Sequence, residues 1–167
     1  ADDLGYGDLS CFGSPIYTPN LNAMARGGVR LRQFYSASSV CSPSRAALLT
    51  GRYPARAGVP GVLWPDSQTG LSTSETTVAE LLKTRDYRTM CIGKWHLGNL
   101  PQFLPCNRGF DEYFGIPYSH DMWPLPLFRD REVVERPVRI ETLTERYSAQ
   151  AVDFIGRARE RPFFLYL

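Results

Sequence analysis

Apolar residues three and four apart mark short helical stretches along this chain, and they alternate with stretches that are apolar at every second position or throughout. Leu21, Met24 and Ala25 give the first helical face, opened by Thr18 as N-cap with Pro19 at the first helical position and closed by Gly27 and Gly28. Val29, Leu31, Gln33 and Tyr35 then alternate with Arg30, Arg32, Phe34 and Ser36, which predicts a strand. Ala46, Ala47, Leu48 and Leu49 form a second helical run, with Pro43 suited to its first turn and Gly51 to the position just past its end. Ser72 with Glu75 predicts a capping box before a helix whose Val78, Leu81 and Leu82 share one face, and residues 87–92 follow as a strand. Thr142 with Glu145 predicts a second box, opening a helix with Leu143, Tyr147, Ala151, Phe154, Ile155 and Ala158 at helical spacing. That helix ends before Pro162, and residues 163–167 read as a strand. Residues 54–70, punctuated by prolines and glycines, read as a long loop whose Trp64 is expected to pack inward rather than line an entrance. Residues 109–121 read as turn-rich and 123–128 as loop. Strand and helix alternating in this way predict an α/β fold, a mostly parallel sheet flanked by helices.

Composition narrows the picture by exclusion. With 167 residues, 43% of them hydrophobic, the chain can hold one sizeable core and is expected to be one domain over 1–167. A formal charge of +2, with no Lys/Arg-rich block, argues against nucleic acid as a partner. No run of about 18 apolar residues is present, so no membrane span is expected. No signal peptide is visible, and the abrupt start and the apolar residues 163–167 make both ends read as cut. The four cysteines, Cys11, Cys41, Cys91 and Cys106, fit neither a disulfide framework nor a zinc site; Cys91, in an apolar strand, is expected to be buried and inert.

Three places carry candidate chemistry. Cys41 is expected just before a helix N-terminus, where backbone N–H groups and the helix dipole favour an anion, with Arg45 four residues on at the same end. On its own, such a cysteine reads equally as a small buried hydrophobe. Lys94 and His96, two apart at the end of a strand, can point the same way into one pocket. Asp2 and Asp3 are adjacent carboxylates that need a cation, solvent or donors, and calcium takes oxygen ligands of this kind.

Residues 40–52, V-C-S-P-S-R-A-A-L-L-T-G-R, resemble the signature of the type I sulfatases, C-x-P-S-R-x-x-x-L-x-T-G-R. The blocks A-D-D-L-G-Y-G-D (1–8), T-P-N-L (18–21), G-K-W-H-L-G (93–98) and G-F-D-E-Y-F-G-I-P-Y-S-H-D (109–121) are similar as well, and the likeness is greatest to the arylsulfatases of the A and G kind. The resemblance implies the alkaline-phosphatase-like sulfatase fold, of which this would be the N-terminal part. It implies hydrolysis of sulfate esters by a formylglycine made from Cys41 through a formylglycine-generating enzyme. Arg45 would hold the formylglycine diol, Lys94 would neutralise sulfate, and His96 would take the proton of the second hydroxyl. Ser119 would position sulfate, and His120 either orients its loop or touches substrate. Asp2, Asp3 and the modified Cys41 would hold calcium.

The implied partner is a sulfate ester small molecule or a sulfated glycan, and the implied location secreted, periplasmic or lysosomal. Further metal ligands and the acid for the leaving group are implied beyond Leu167, so this span alone is expected to be inactive. Two rival classes share the pattern: a phosphatase, phosphonate hydrolase or phosphodiesterase on the same scaffold, and a non-catalytic module.

Overall fold

The computed structural model describes residues 4–167. The chain divides into two compact units, Ala1–Ser36 and Ala37–Leu167.

In the first unit, helix α1 (Pro19–Gly27) starts where the Thr18–Pro19 pair predicts. The Thr18 hydroxyl does not cap it. It accepts from the Ser10 N–H at 3.1 Å and pairs with the Ser10 hydroxyl at 2.9 Å, while Asn22 Nδ2 donates to the same Ser10 Oγ at 2.8 Å. The strand expected over residues 29–36 does not form: the segment has no regular structure and its apolar residues are exposed. Alternation only makes a strand when a neighbour offers a hydrogen-bonding edge, and none of the five strands pairs with this one.

The second unit is built on a five-stranded sheet of order β4-β3-β2-β1-β5. Its strands are β1 (Arg88–Lys94), β2 (Glu112–Ile116), β3 (Leu127–Arg129), β4 (Glu132–Glu135) and β5 (Phe163–Tyr166). β1 runs parallel to both β2 and β5, whereas β2–β3 and β3–β4 are antiparallel. The sheet is therefore mixed rather than mostly parallel. The antiparallel half begins in residues read as loop: Pro124 and Pro126 hide a strand that begins one residue later, at Leu127, and the turn at Asp130 folds it back on β4, in a stretch to which the sequence assigned no element. β2 was likewise masked by the glycines and prolines around it.

β1 is buried along almost its whole length, as a central parallel strand covered on both faces should be. Met90 and Ile92 face Leu143, Ala151 and Phe154 of α4 (Leu143–Arg157), together with Phe114 and Ile116 of β2. Cys91 and Tyr113 join the other core with Ala46 and Leu49 of α2 (Cys41–Thr50) and Ala79 of α3 (Val78–Lys83). Cys91 is fully buried and burial pushes its thiol well up, so it stays protonated, as expected of an inert core cysteine.

Two capping boxes differ from expectation. α3 is capped by Thr77 with Glu80, not Ser72 with Glu75: Glu80 N–H donates to Thr77 Oγ1 at 3.1 Å and Thr77 N–H to Glu80 Oε2 at 2.7 Å. Leu81, assigned to the buried face, is 60% exposed. Thr142 stands at the N-cap of α4 but has helical φ/ψ, and its hydroxyl donates to the Arg139 carbonyl at 2.8 Å, so no box closes. Ser/Thr-x-x-Glu recurs by chance in polar connections, and only backbone geometry selects the pair that closes.

Gly93 and Gly115 face each other across β1 and β2. A Cβ on Gly115 would lie 1.9 Å from the Gly93 carbonyl oxygen, so these backbones meet where no side chain fits.

Candidate functional site

The C-terminal ends of the parallel strands β1 and β2 gather the candidate residues, the end of an open α/β sheet at which ligands bind. Three segments meet there. The first is the N-terminus of α2. Cys41 is its first residue, half-buried, after Val40 in extended conformation. Val40 offers no side-chain cap, so the first turn keeps N–H groups directed away from the helix. Gly51 ends the helix in the left-handed conformation (φ 68°), as the sequence predicts.

Lys94, half-buried, closes β1. Trp95, fully buried, points into the core and donates from Nε1 to the Phe103 carbonyl at 2.8 Å. His96 follows with a left-handed backbone (φ 58°) and is 1% exposed. The simple strand period that was to align Lys94 with His96 therefore stops short of His96. The segment is held instead by Trp95 N–H to the Ile116 carbonyl at 2.9 Å and His96 N–H to the Pro117 carbonyl at 3.0 Å. His96 Nε2 lies 2.8 Å from the carbonyl oxygen of Leu63. A carbonyl only accepts, so Nε2 carries a proton; in the neutral form of the ring the lone pair is then on Nδ1.

The third segment is the turn after β2. Ser119 is buried, and its side chain is the largest influence on the Asp121 carboxylate. That influence, then the backbone N–H of Asp121 and the nearby charges of His120 and Lys94, hold the Asp121 carboxyl below the usual range. Lys94, Ser119, exposed His120 and Asp121 therefore share one electrostatic neighbourhood.

Cross-links join the three. Arg45 of α2 donates from Nη1 to the main-chain carbonyl of Lys94 and, at 3.2 Å, to the hydroxyl of Tyr166 on β5. Leu63, in the long loop, donates its N–H to Ser42 Oγ at 3.1 Å while its carbonyl receives His96. Asn99 Nδ2 holds the Pro65 carbonyl at 2.7 Å. Trp64 is 59% exposed, contrary to the expectation of inward packing: its N–H donates to Ser67 Oγ at 2.7 Å in a turn that keeps the ring outside the core.

The structure thus brings together Cys41, Arg45, Lys94, His96, Ser119 and His120 at one end of the sheet. Asp2 and Asp3 lie outside the described residues. Among the described residues no three His, Cys, Asp or Glu side chains assemble into a group that could hold a metal ion. Sequence reasoning missed Ser42, Leu63, Asp121 and Tyr166. Asp121 stood in the quoted P-Y-S-H-D block, but the main-chain role of Leu63 leaves no trace in residue type.

The Sulfatase family model matches residues 1–167. Human arylsulfatase A is 47% identical, over 99% of this chain and 38% of its own length. Human N-acetylgalactosamine-6-sulfatase is 44% identical over 99% of this chain and 37% of its own. Among solved structures, Ps i-CgsB superposes with a TM-score of 0.90 at 36% identity, covering 99% of this chain and 42% of that one. It has also been solved in complex with k-i-k-neocarrahexaose. A Bacteroides thetaiotaomicron structure, BT33336S-sulf, from work on the metabolism of multiple glycosaminoglycans, gives 0.90 at 27% identity over 99% of this chain and 48% of that chain. The chain spans about two fifths of the length of the curated relatives it matches.

Proposed function

Because this chain belongs to the sulfatase family, we propose that the protein hydrolyses sulfate esters, releasing inorganic sulfate and an alcohol or phenol. The observation that carries the reading is the meeting of the α2 N-terminus, Lys94–His96 and Ser119 at the C-terminal ends of β1 and β2. A tetrahedral anion set against Cys41 would meet the uncapped N–H groups of α2 and the positive end of its dipole.

Cys41 is the proposed nucleophile after oxidation to formylglycine by a formylglycine-generating enzyme. The hydrated group would supply one hydroxyl to attack sulfur and a second whose proton can be removed to release sulfate. Lys94 supplies a mobile positive charge that offsets charge building on the sulfate oxygens. Ser119 orients them, its side chain already coupled to the Asp121 carboxylate. His96, with its proton on Nε2 fixed by Leu63, presents Nδ1 as the base for the second hydroxyl. Arg45 sets the distance between nucleophile and strand by strapping α2 to the Lys94 main chain. His120 stands exposed at the rim, where it can touch the alcohol portion. Asp2 and Asp3, with the modified Cys41, are the proposed calcium ligands.

The substrate class that we favour is a sulfated glycan, supported by the complex of Ps i-CgsB with k-i-k-neocarrahexaose. The test is turnover of aryl sulfates and sulfated oligosaccharides by the natural protein, alongside mass analysis of its Cys41 peptide. Sulfate release with an aldehyde-bearing Cys41 peptide is expected. Full activity from an unmodified thiol, or faster turnover of phosphate esters than sulfate esters, would overturn the reading.

A further inference from the structure

A serine with no accessible surface follows Cys41. Ser42 is the second residue of α2 and is 0% exposed. Its hydroxyl accepts the N–H of Leu63 at 3.1 Å, from a segment 21 residues along that belongs to no helix or strand. The carbonyl of that same Leu63 receives His96 Nε2 at 2.8 Å. One residue's main chain thus spans from the helix that carries Cys41 to the imidazole at the end of β1.

We propose that Ser42 is a positioning residue: through the main chain of Leu63 it fixes His96 in the orientation and tautomer, proton on Nε2 and lone pair on Nδ1, that the site uses. The kinetic part of this inference rests on the reading of the protein as a sulfate ester hydrolase; the tautomer part does not.

The geometry makes the link specific. Downstream, the loop is pinned by Asn99 to Pro65, by the Trp64–Ser67 turn, and by Leu71 N–H to the Leu97 carbonyl at 2.8 Å. These contacts hold the loop to the segment after β1 and do not reach α2. The Leu63 side chain packs on the core cluster that includes Ala46 and Leu49 of α2, and among the described hydrogen bonds the Ser42–Leu63 bond is the one that refers the Leu63 main chain to the helix of the nucleophile. His96 is itself fixed at the backbone by its N–H to Pro117, in a conformation a histidine adopts infrequently. With the backbone set, ring rotation and tautomer are decided by where the Leu63 carbonyl stands. A ring bound through a fixed carbonyl on one nitrogen must present the other as acceptor. Ser42 and Leu63 therefore register nucleophile and base to each other through a single main chain.

The experiment labels the histidines of the natural protein with 15N and reads the ring nitrogens by long-range proton–nitrogen correlation in mildly alkaline buffer, His96 being assigned by its loss in His96→Gln. Wild type and Ser42→Thr, which keeps the hydroxyl, should show one neutral ring protonated on Nε2. Ser42→Ala should show mixed tautomers, with kcat lowered about 10- to 100-fold and KM within about twofold, as expected when a support behind a catalytic group is removed. An unchanged Nε2-protonated ring in Ser42→Ala overturns the proposal, whatever happens to activity. Equal loss of kcat in Ser42→Thr and Ser42→Ala overturns it too, because the hydroxyl would then be irrelevant. Should Ser42→Ala fail to fold, wild type decides alone: a neutral His96 ring protonated on Nδ1 overturns the proposal. If the tautomer follows Ser42 while no sulfate ester is turned over, the positioning stands and the reading of function fails.

Discussion

The two ends of β1 are built from opposite principles. At its N-terminal end opposite charges pair with one another. Arg88 pairs with Glu112 at 3.4 Å, and Arg157 joins the same carboxylate at 2.8 Å while also holding Asp153 at 2.8 Å. Lys83 meets Asp111 at 2.6 Å, and Asp111 in turn accepts the N–H of Thr89 at 2.9 Å. At the C-terminal end, six residues on, main-chain carbonyls hold the segment that follows Lys94: those of Ile116 and Pro117 take the N–H groups of Trp95 and His96, that of Leu63 takes the His96 ring, and Arg45 is bound to the carbonyl of Lys94 itself. A main-chain carbonyl fixes position whatever the residue type that bears it. One strand therefore separates stability from chemistry by about 20 Å of extended chain, taking seven residues at the usual rise.

Substitutions at the two ends should separate in the same way. The largest effect is expected from Cys41→Ala, with sulfate ester turnover falling by about 10⁴-fold or more while the melting temperature holds, because only a small half-buried side chain is removed. Next, Lys94→Ala should lower kcat/KM by about 10²- to 10³-fold, again with unchanged melting, since the carbonyl bound by Arg45 is retained. Parallel loss of stability in either variant would erase the contrast between the ends.

At the other end the readout should be reversed. Asp111→Asn should cost about 1–2 kcal/mol of stability through lost charge-assisted hydrogen bonds and leave kcat/KM within twofold or so, as measured by chemical denaturation and steady-state assay. Burial pushes the Asp111 carboxyl up, but the Lys83 and Thr89 donors outweigh it and the net shift is downward. A carboxyl lowered in the folded state adds stability that is present above its unfolded value of about 4 and fades as pH falls through the lowered folded value. Melting temperature should therefore drop on acidification in that window, and the drop should be smaller in Asp111→Asn. The smallest effect belongs to Arg157→Ala, about 0.5–1 kcal/mol, because its ion pairs are open to solvent and screened by salt. A larger cost would mean that the ring of charges acts as one network.

What the sequence disclosed follows the reach of each interaction. The helix of residues 41–50 and its glycine stop, α4, β5 and the core placement of Cys91 depend on local period and burial, and all were legible. The strand over residues 29–36 was not, because a strand is a property of two segments and alternation describes one. β2 and β3 hid behind glycines and prolines whose turn signal was real but belonged to their surroundings, and the short β4 was assigned no element. At the site, Cys41, Arg45, Lys94, His96, Ser119 and His120 could be named from motif blocks, and the structure brings these six to one end of the sheet. How they are held was beyond reach: Leu63 acts through its N–H and carbonyl, which every residue but proline possesses, so no side-chain type could announce it.

The facing glycines of β1 and β2 bear on how sequence variation in this protein would be interpreted. Gly93 sits one residue before Lys94, and Gly115 one before Ile116, whose carbonyl holds Trp95. Any side chain at 115 would force the Gly93 carbonyl aside and shift that register. A natural variant at Gly115 would therefore disturb the segment that carries Lys94 and His96 while leaving every candidate side chain in place, and a survey of the candidate side chains alone would pass over it.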